Sequence, residues 1–147
     1  MKIAVIGGGS TYTPELVDGL LRRKEALPVR ELWLMDIAPD RLETVGEFAR
    51  RMTEAAGLPF NVHLTTDQAE AVRGATFVVT QIRVGGMQAR REGERLGHLY
   101  GLVGQETTGV GGMAKALRTI PIMLDVAQDV VRLAPGAFLI NFTNPQG

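Results

Sequence analysis

The sequence has 147 residues, 45% of them hydrophobic and 22% charged, and its 16 basic residues balance its 16 acidic ones. That length suits one globular domain with a single core, and a formal charge of zero leaves no electrostatic footprint for nucleic acid or an anionic membrane. With no cysteine there is neither a disulfide framework nor a thiolate metal ligand in these residues, and a reducing cytoplasm is the expected location.

Residues 2–6 are a short apolar run, too short for a secretory signal or a membrane span. The run ends in Gly7-Gly8-Gly9 and reads as a buried parallel strand entering a tight turn. Pro14 suits the first turn of a helix, where its missing N–H costs nothing, and Leu16, Leu20 and Leu21 at helical spacing predict a helix over 15–24. Residues 31–35 predict a second strand ending at Asp36. Asp40 is the expected N-cap of a long helix over 41–56, which Gly57 stops. Residues 60–64 alternate as a third strand, and 67–73 predict one short helix before Gly74. Residues 76–82, β-branched and apolar, predict a fourth buried strand.

Residues 83–112 break this rhythm. They are polar, charged and rich in glycine, with a helix predicted over 88–100. A connection this long inside a compact domain usually carries function. A helix follows over 113–133, with a kink expected at Pro121. Residues 137–141 predict a fifth strand leading into Asn144-Pro145. Strands alternating with helices imply right-handed crossovers and a parallel sheet covered on both faces. With a glycine-rich first turn, the expected fold is α/β: a doubly wound, Rossmann-like dinucleotide-binding domain over 1–147.

Gly7-Gly8-Gly9-Ser10-Thr11-Tyr12 occupies the place of the phosphate-binding fingerprint. Gly7 allows the tight turn, Gly9 lets a pyrophosphate approach the backbone, and the following helix is expected to point its free N–H groups at that phosphate. Ser10 and Thr11 add hydroxyl donors. Tyr12 stands where a third glycine is usual, so the helix is expected to sit further from the strand. Asp36, ending the second strand, suits a ribose hydroxyl and disfavours a 2′-phosphate, which favours NAD over NADP. The plainer alternatives are a simple glycine turn and a solvated strand end.

Ligands of doubly wound sheets bind beyond the carboxyl ends of the strands, where residues 83–112 and Asn144 fall. Arg83, Arg90, Arg91 and Arg95 lie in or near this region. Helical spacing puts Arg91 and Arg95 on one face and Arg90 elsewhere. Arginine suits bidentate phosphate binding, although a solvated charged helix explains any single one. The glycines of the second loop, residues 104–112, are expected to let the backbone approach a sugar or the nicotinamide ring. Glu106 there either tunes a base, accepts a sugar hydroxyl or caps the loop. Pro145 holds Asn144 extended, either aiming its amide at a ligand or making a plain turn. His63 and His98 lack metal-ligand spacing.

Three segments taken together, Gly7-Gly8-Gly9-Ser10-Thr11-Tyr12-Thr13-Pro14-Glu15, Gly104-Gln105-Glu106-Thr107-Thr108-Gly109 and Asn141-Phe142-Thr143-Asn144-Pro145, resemble the family-4 glycoside hydrolases, and among them the 6-phospho-β-glucosidases. The resemblance implies chemistry outside the two-carboxylate scheme of most glycosidases. NAD takes a hydride from C3 of a phosphorylated disaccharide or glycoside, the ketone acidifies the C2 proton, a tyrosine removes it, and the aglycone leaves by elimination. Water then adds and the hydride returns. A divalent metal, manganese by expectation, stabilises the developing enediolate. It further implies that Gly7, Gly8, Gly9, Ser10, Thr11, Tyr12 and Asp36 form the cofactor site. Arg90 contacts substrate at the 6-phosphate, Asn144 contacts substrate, and Glu106 raises the basicity of the tyrosine. Thr108, where α-specific members often carry cysteine, leans toward β-glycosides.

Members of that family are much longer, and their metal-binding cysteine and histidine and their tyrosine base follow the Asn-Pro motif. Neither Tyr12 nor Tyr100 matches the base. The expectation is a chain that folds, supplies the NAD site and part of the substrate site, holds no metal and hydrolyses nothing alone. Homo-oligomers are implied for the longer proteins. Two rivals remain at this stage: a piece of a lactate/malate-type NAD-dependent dehydrogenase, which shares the sheet, the glycine turn and an Asn-Pro after a strand, and a non-enzymatic nucleotide-binding sensor domain.

Overall fold

The computed structural model describes residues 1–143, so the predicted contact at Asn144 lies outside the described residues. The elements follow in the order β1 (Lys2–Ile6), α1 (Thr13–Arg22), β2 (Glu31–Met35), α2 (Pro39–Ala55), β3 (Asn61–Thr65), α3 (Gln68–Val72), β4 (Phe77–Thr80), α4 (Gly86–Leu99), α5 (Gly109–Leu133) and β5 (Phe138–Asn141). The strands make one five-stranded sheet in the order β3-β2-β1-β4-β5. All four pairings are parallel, with Ile3 opposite Leu32 and Phe77, and Val78 opposite Leu139. This is the doubly wound order, and its switch point lies between β1 and β4.

Alternation along β1 explains the two cores. Ile3 and Val5 face one side and pack with Val17 and Leu20 of α1, Leu42 and Ala49 of α2, and Leu32, Leu34 and Val62 of the neighbouring strands. Ala4 and Ile6 face the other side and pack with Val72 of α3, Val78 of β4, and Val126 and Val130 of α5. Burying each of the larger side chains, such as the fully covered Leu32 and Leu34, contributes roughly 1.5–3 kcal/mol. Lys2 spans the start of the second face, with its ammonium 4.2 Å from the Trp33 ring centroid, and Trp33 stacks on His63 at 4.5 Å.

Several predicted boundaries move, each for a local reason. Asp40 is not the cap of α2: Ala38 takes that place, and Pro39 starts the helix with φ already set. The side-chain acceptor at this corner is Asp36, whose Oδ1 receives the Ala38 N–H at 3.0 Å. Asp67 caps α3 by accepting from the Ala69 and Glu70 amides. The last helix is longer than its apolar pattern. It starts at Gly109 instead of 113, and Pro121 lies inside it without ending it. Tyr12, at the N-cap of α1, is 61% exposed, so its ring does not wedge the helix away from the sheet; the buried neighbour there is Thr13. No helix among the described residues is long and apolar enough to cross a membrane.

Candidate cofactor and substrate rim

Two clusters stand at the carboxyl end of the sheet. The first is the turn after β1. Gly7 takes a φ of +95°, and a Cβ there would lie 2.7 Å from the Gln81 carbonyl oxygen at the exit of β4. Gly7 is therefore required by backbone conformation and by close approach. Its amide and that of Gly8 both donate to the Met35 carbonyl, at 2.9 and 2.7 Å. The Gly9 amide donates to Asp36 Oδ2 at 3.0 Å, and a Cβ on Gly9 would come within 2.9 Å of that same oxygen. The missing side chain at Gly9 thus lets the carboxylate of β2 reach the turn. That reason differs from the phosphate approach expected of it.

Asp36 is buried. Oδ2 holds the Gly9 amide, while Oδ1 accepts from Ala38 and from the Arg41 guanidinium at 3.3 Å. The turn is braced from below by Gln81, whose amide donates to the Gly7 carbonyl at 3.1 Å and to Thr13 Oγ1 at 2.7 Å. Thr13 Oγ1 in turn donates to the Gly8 carbonyl at 2.8 Å. Sequence reasoning missed both residues. The one available signal for Gln81 is a polar side chain ending a buried apolar strand.

The expectation of a row of free amides at the start of α1 needs correction. Ser10 N–H donates to the Gly7 carbonyl, Tyr12 N–H to Ser10 Oγ, and Thr13 N–H to the Ser10 carbonyl. Among the described residues the amides left without an acceptor in the chain here are that of Thr11, at the exposed crest of the turn, and that of Glu15, in the first turn of α1. No side chain fills the space above the crest: Thr11 and Tyr12 are exposed and Ser10 half-buried. A backbone-lined crest with an unclaimed donor, next to a carboxylate at the tip of β2, has the donor and acceptor set that a diphosphate and its ribose need.

The second cluster lies beyond β4 and is made of charge. Glu106, with a side chain only 9% exposed, is contacted from three segments. Arg83, just past β4, and Lys115 of α5 donate to Oε1, the latter at 2.7 Å, and Arg90 of α4 lies 3.2 Å from Oε2. Arg90 also donates to Glu94 at 2.9 Å. Burial pushes the Glu106 carboxyl up, but hydrogen bonds from Lys115 and Arg83, reinforced by their charges, outweigh it and hold it below the ordinary carboxylate value. Arg91 and Arg95 stay outside this cluster: Arg91 is exposed, and Arg95 pairs with Glu92 on the solvent side of α4.

The glycines of the second loop bring these charges together. A Cβ on Gly111 would meet the Gln105 carbonyl oxygen at 1.9 Å, and one on Gly104 would meet that of Glu94 at 2.3 Å. The loop folds onto its own backbone and onto α4, and this clamps α4 against α5. Thr108 stands at the N-cap position of α5, with its hydroxyl on the Gln105 side chain. Lys115 was not anticipated. Its signal is a lysine on the helical face that otherwise carries Gly111, Thr119, Val126 and Val130, all buried. At the end of β5, Asn141 Oδ1 accepts from Thr80 Oγ1 at 2.9 Å and from the Thr143 amide at 3.0 Å, and Thr143 Oγ1 accepts from the Ile82 amide, tying together the exits of the last two strands. Among the described residues no three His, Cys, Asp or Glu side chains gather to hold a metal ion, and no metal-dependent step is assigned to them.

Strand order, glycine turn and strand-tip acid define a doubly wound α/β domain of the Rossmann type. The model of the family described as "Family 4 glycosyl hydrolase" matches residues 2–147. A probable 6-phospho-beta-glucosidase of Bacillus subtilis (strain 168) is 54% identical over all of this chain and 34% of its own length. The 6-phospho-beta-glucosidase of Escherichia coli (strain K12) is 47% identical over all of this chain and 33% of its own. A crystal structure of the 6-phospho-beta glucosidase from Thermotoga maritima, with manganese, NAD+ and glucose-6-phosphate, is 42% identical and superposes with a TM-score of 0.94 over 100% of this chain and 35% of that one. The chain belongs to the family 4 glycosyl hydrolases. It spans about a third of the length of the curated relatives it matches.

Proposed function

We propose that this chain is the dinucleotide-binding domain of an NAD-dependent 6-phospho-β-glucosidase, a cytoplasmic and oligomeric enzyme whose substrate is a phosphorylated disaccharide or glycoside. The observation that carries the reading is the pairing of the two clusters on one rim: a backbone-lined turn beside Asp36, and a net-positive group around Glu106. Two supports come from the relatives. Those at 54% and 47% identity are named for β-glucosides, in keeping with Thr108, and the Thermotoga structure carries NAD+, manganese and a sugar phosphate.

In this reading Gly7, Gly8 and Gly9 shape the turn, and Ser10, Thr11 and Tyr12 form its exposed crest. The Thr11 amide and the Ser10 and Thr11 hydroxyls donate to the pyrophosphate, and Asp36 accepts from the ribose on the remaining capacity of Oδ2. Bound NAD supplies the hydride acceptor for C3 oxidation. Arg90 and Asn144 contact the substrate, Arg90 at the 6-phosphate. Glu106 stays anionic and offsets the three cations around it, so that the rim beneath whatever base works above it is less positive than Arg83, Arg90 and Lys115 alone would make it. The elimination that follows C2 deprotonation, and the divalent metal it uses, belong to residues outside those described.

Two experiments test the reading. Hydrolysis of a chromogenic 6-phospho-β-glucoside by the full-length protein is expected to require NAD yet accumulate no NADH. Net NADH production with a 2-hydroxy acid would instead favour a dehydrogenase. For this chain alone, NAD at a hundredfold excess over its Kd stabilises by about 2.7 kcal/mol. An unmoved melting transition with millimolar NAD, NADH or ADP contradicts the cofactor assignment.

A further inference from the structure

Of the charged groups on the rim, Lys115 is the one with the least access to solvent. Its side chain is 5% exposed, against 35% for Arg83 and 37% for Arg90. Its ammonium lies 2.7 Å from Glu106 Oε1, on a helix face otherwise made of glycine, threonine and valine. An unpaired lysine in such a place is costly, so the ammonium and the carboxylate hold each other. The two arginines differ. Each offers a guanidinium with five donors in a planar fork, each is about a third exposed, and each spends only part of its capacity on Glu106 and Glu94.

Charge balance separates the roles further. Arg83, Arg90 and Lys115 face Glu106 and Glu94, so the group carries one net positive charge. A phosphate dianion entering beside Arg90 meets Glu106 within the same group. Without Lys115 behind it, Glu106 would keep both arginines to itself and repel the incoming anion.

We propose that Lys115 is a positioning residue for phosphate recognition: it neutralises Glu106 from the buried side and so frees Arg83 and Arg90 for the phosphate of the substrate. This rests on the assignment of a sugar phosphate as substrate, and it adds two cations, Lys115 and Arg83, to the recognition attributed to Arg90.

The test is titration of this chain with glucose 6-phosphate and with inorganic phosphate, read from backbone amide shifts of α4 and the loop at 104–112. Lys115→Met is expected to weaken binding of both about tenfold or more, and Lys115→Arg to restore most of it. The deciding variant is the double change Lys115→Met, Glu106→Gln, which removes one charge of each sign. It returns affinity toward that of the unaltered chain here, whereas a lysine that matters only by its packing on α5 predicts that affinity stays low in the double variant. The double variant buries no lone charge, so it decides even where Lys115→Met alone does not fold. Unchanged affinity in Lys115→Met, loss in the double variant, or no phosphate binding by the unaltered chain while NAD still binds would each overturn the proposal and leave the cofactor assignment standing. Failure of NAD to bind would instead strike the cofactor assignment.

Discussion

The turn after β1 is held by backbone, and the rim beyond β4 is held by charge. In the turn, Gly7, Gly8 and Ser10 hand their amides to carbonyls, Gly9 hands its amide to Asp36, and Gln81 and Thr13 brace the carbonyls from beneath. In the rim, Arg83, Arg90, Glu106 and Lys115 come from four places in the chain and meet at one carboxylate. The turn is preorganised by the ends of β2 and β4, so what it binds meets fixed groups that need no rearrangement. The rim is an assembly of long side chains with alternative partners, suited to exchanging one anion for another. The first ought to tolerate changes of charge but not of shape, the second the reverse.

The largest effect expected is on the charge side. Glu106→Gln takes the shared carboxylate away from Arg83, Arg90 and the buried Lys115 together and costs about 3–5 kcal/mol at neutral pH, measured by urea denaturation. The pH dependence has a definite sign. The folded-state value of Glu106 lies below the unfolded one, so its contribution is complete above the ordinary carboxylate range and is lost as pH falls through the folded value. The gap between the two chains therefore closes in acid. A gap that persists at pH values where Glu106 is protonated would mean that shape, not charge, holds the rim.

On the shape side, Gly7→Ala places a methyl against the Gln81 carbonyl and forces an L-residue to a φ of +95°. The expected cost is about 2–4 kcal/mol in thermal denaturation, together with loss of NAD binding. A variant as stable as the unaltered chain would show that the turn is softer than described. Asp36→Asn keeps one acceptor oxygen and trades the other for a donor facing either Gly9 or Ala38 and Arg41. A loss of about 1–2 kcal/mol is expected, with a smaller ratio of NAD to NADP affinity by calorimetry. Glu94→Gln breaks a pair that is about a third exposed on both sides and is expected to cost less than about 1 kcal/mol. It leaves Arg90 freer for phosphate. A large loss there would make Glu94, rather than Glu106, the anchor of the rim.

The same contrast explains what was legible in the sequence. β1, β2 and the turn declare themselves because a short apolar run followed by three glycines has one common outcome, and Asp36 is marked by ending the next run. The doubly wound sheet follows from the alternation of periods. Helix starts were less legible: Asp40 has the right chemistry for a cap, but Asp36 had already taken the Ala38 amide and Pro39 began the helix. The glycines at 104, 111 and 112 were visible as a group, yet their reason is close contact with carbonyls, that of Glu94 in α4 for Gly104 and those of the loop itself for Gly111 and Gly112, which spacing cannot reveal. Lys115 was hidden because one charged residue in a long helix carries no period, and only tertiary packing turned it inward. Arg83 and Arg90 were visible as arginines, but their meeting at Glu106 depends on the clamping of α4 against α5.

Titration of the isotopically labelled chain with NAD, followed amide by amide, is the most direct test of the cofactor turn. The Thr11 amide, left without an acceptor in the chain, is expected to shift furthest, with Gly9 and the residues flanking Asp36 moving with it and α4 scarcely moving. Shifts confined to α4 and the loop at 104–112, or none at millimolar NAD, would show that the bend after β1 does not hold the dinucleotide.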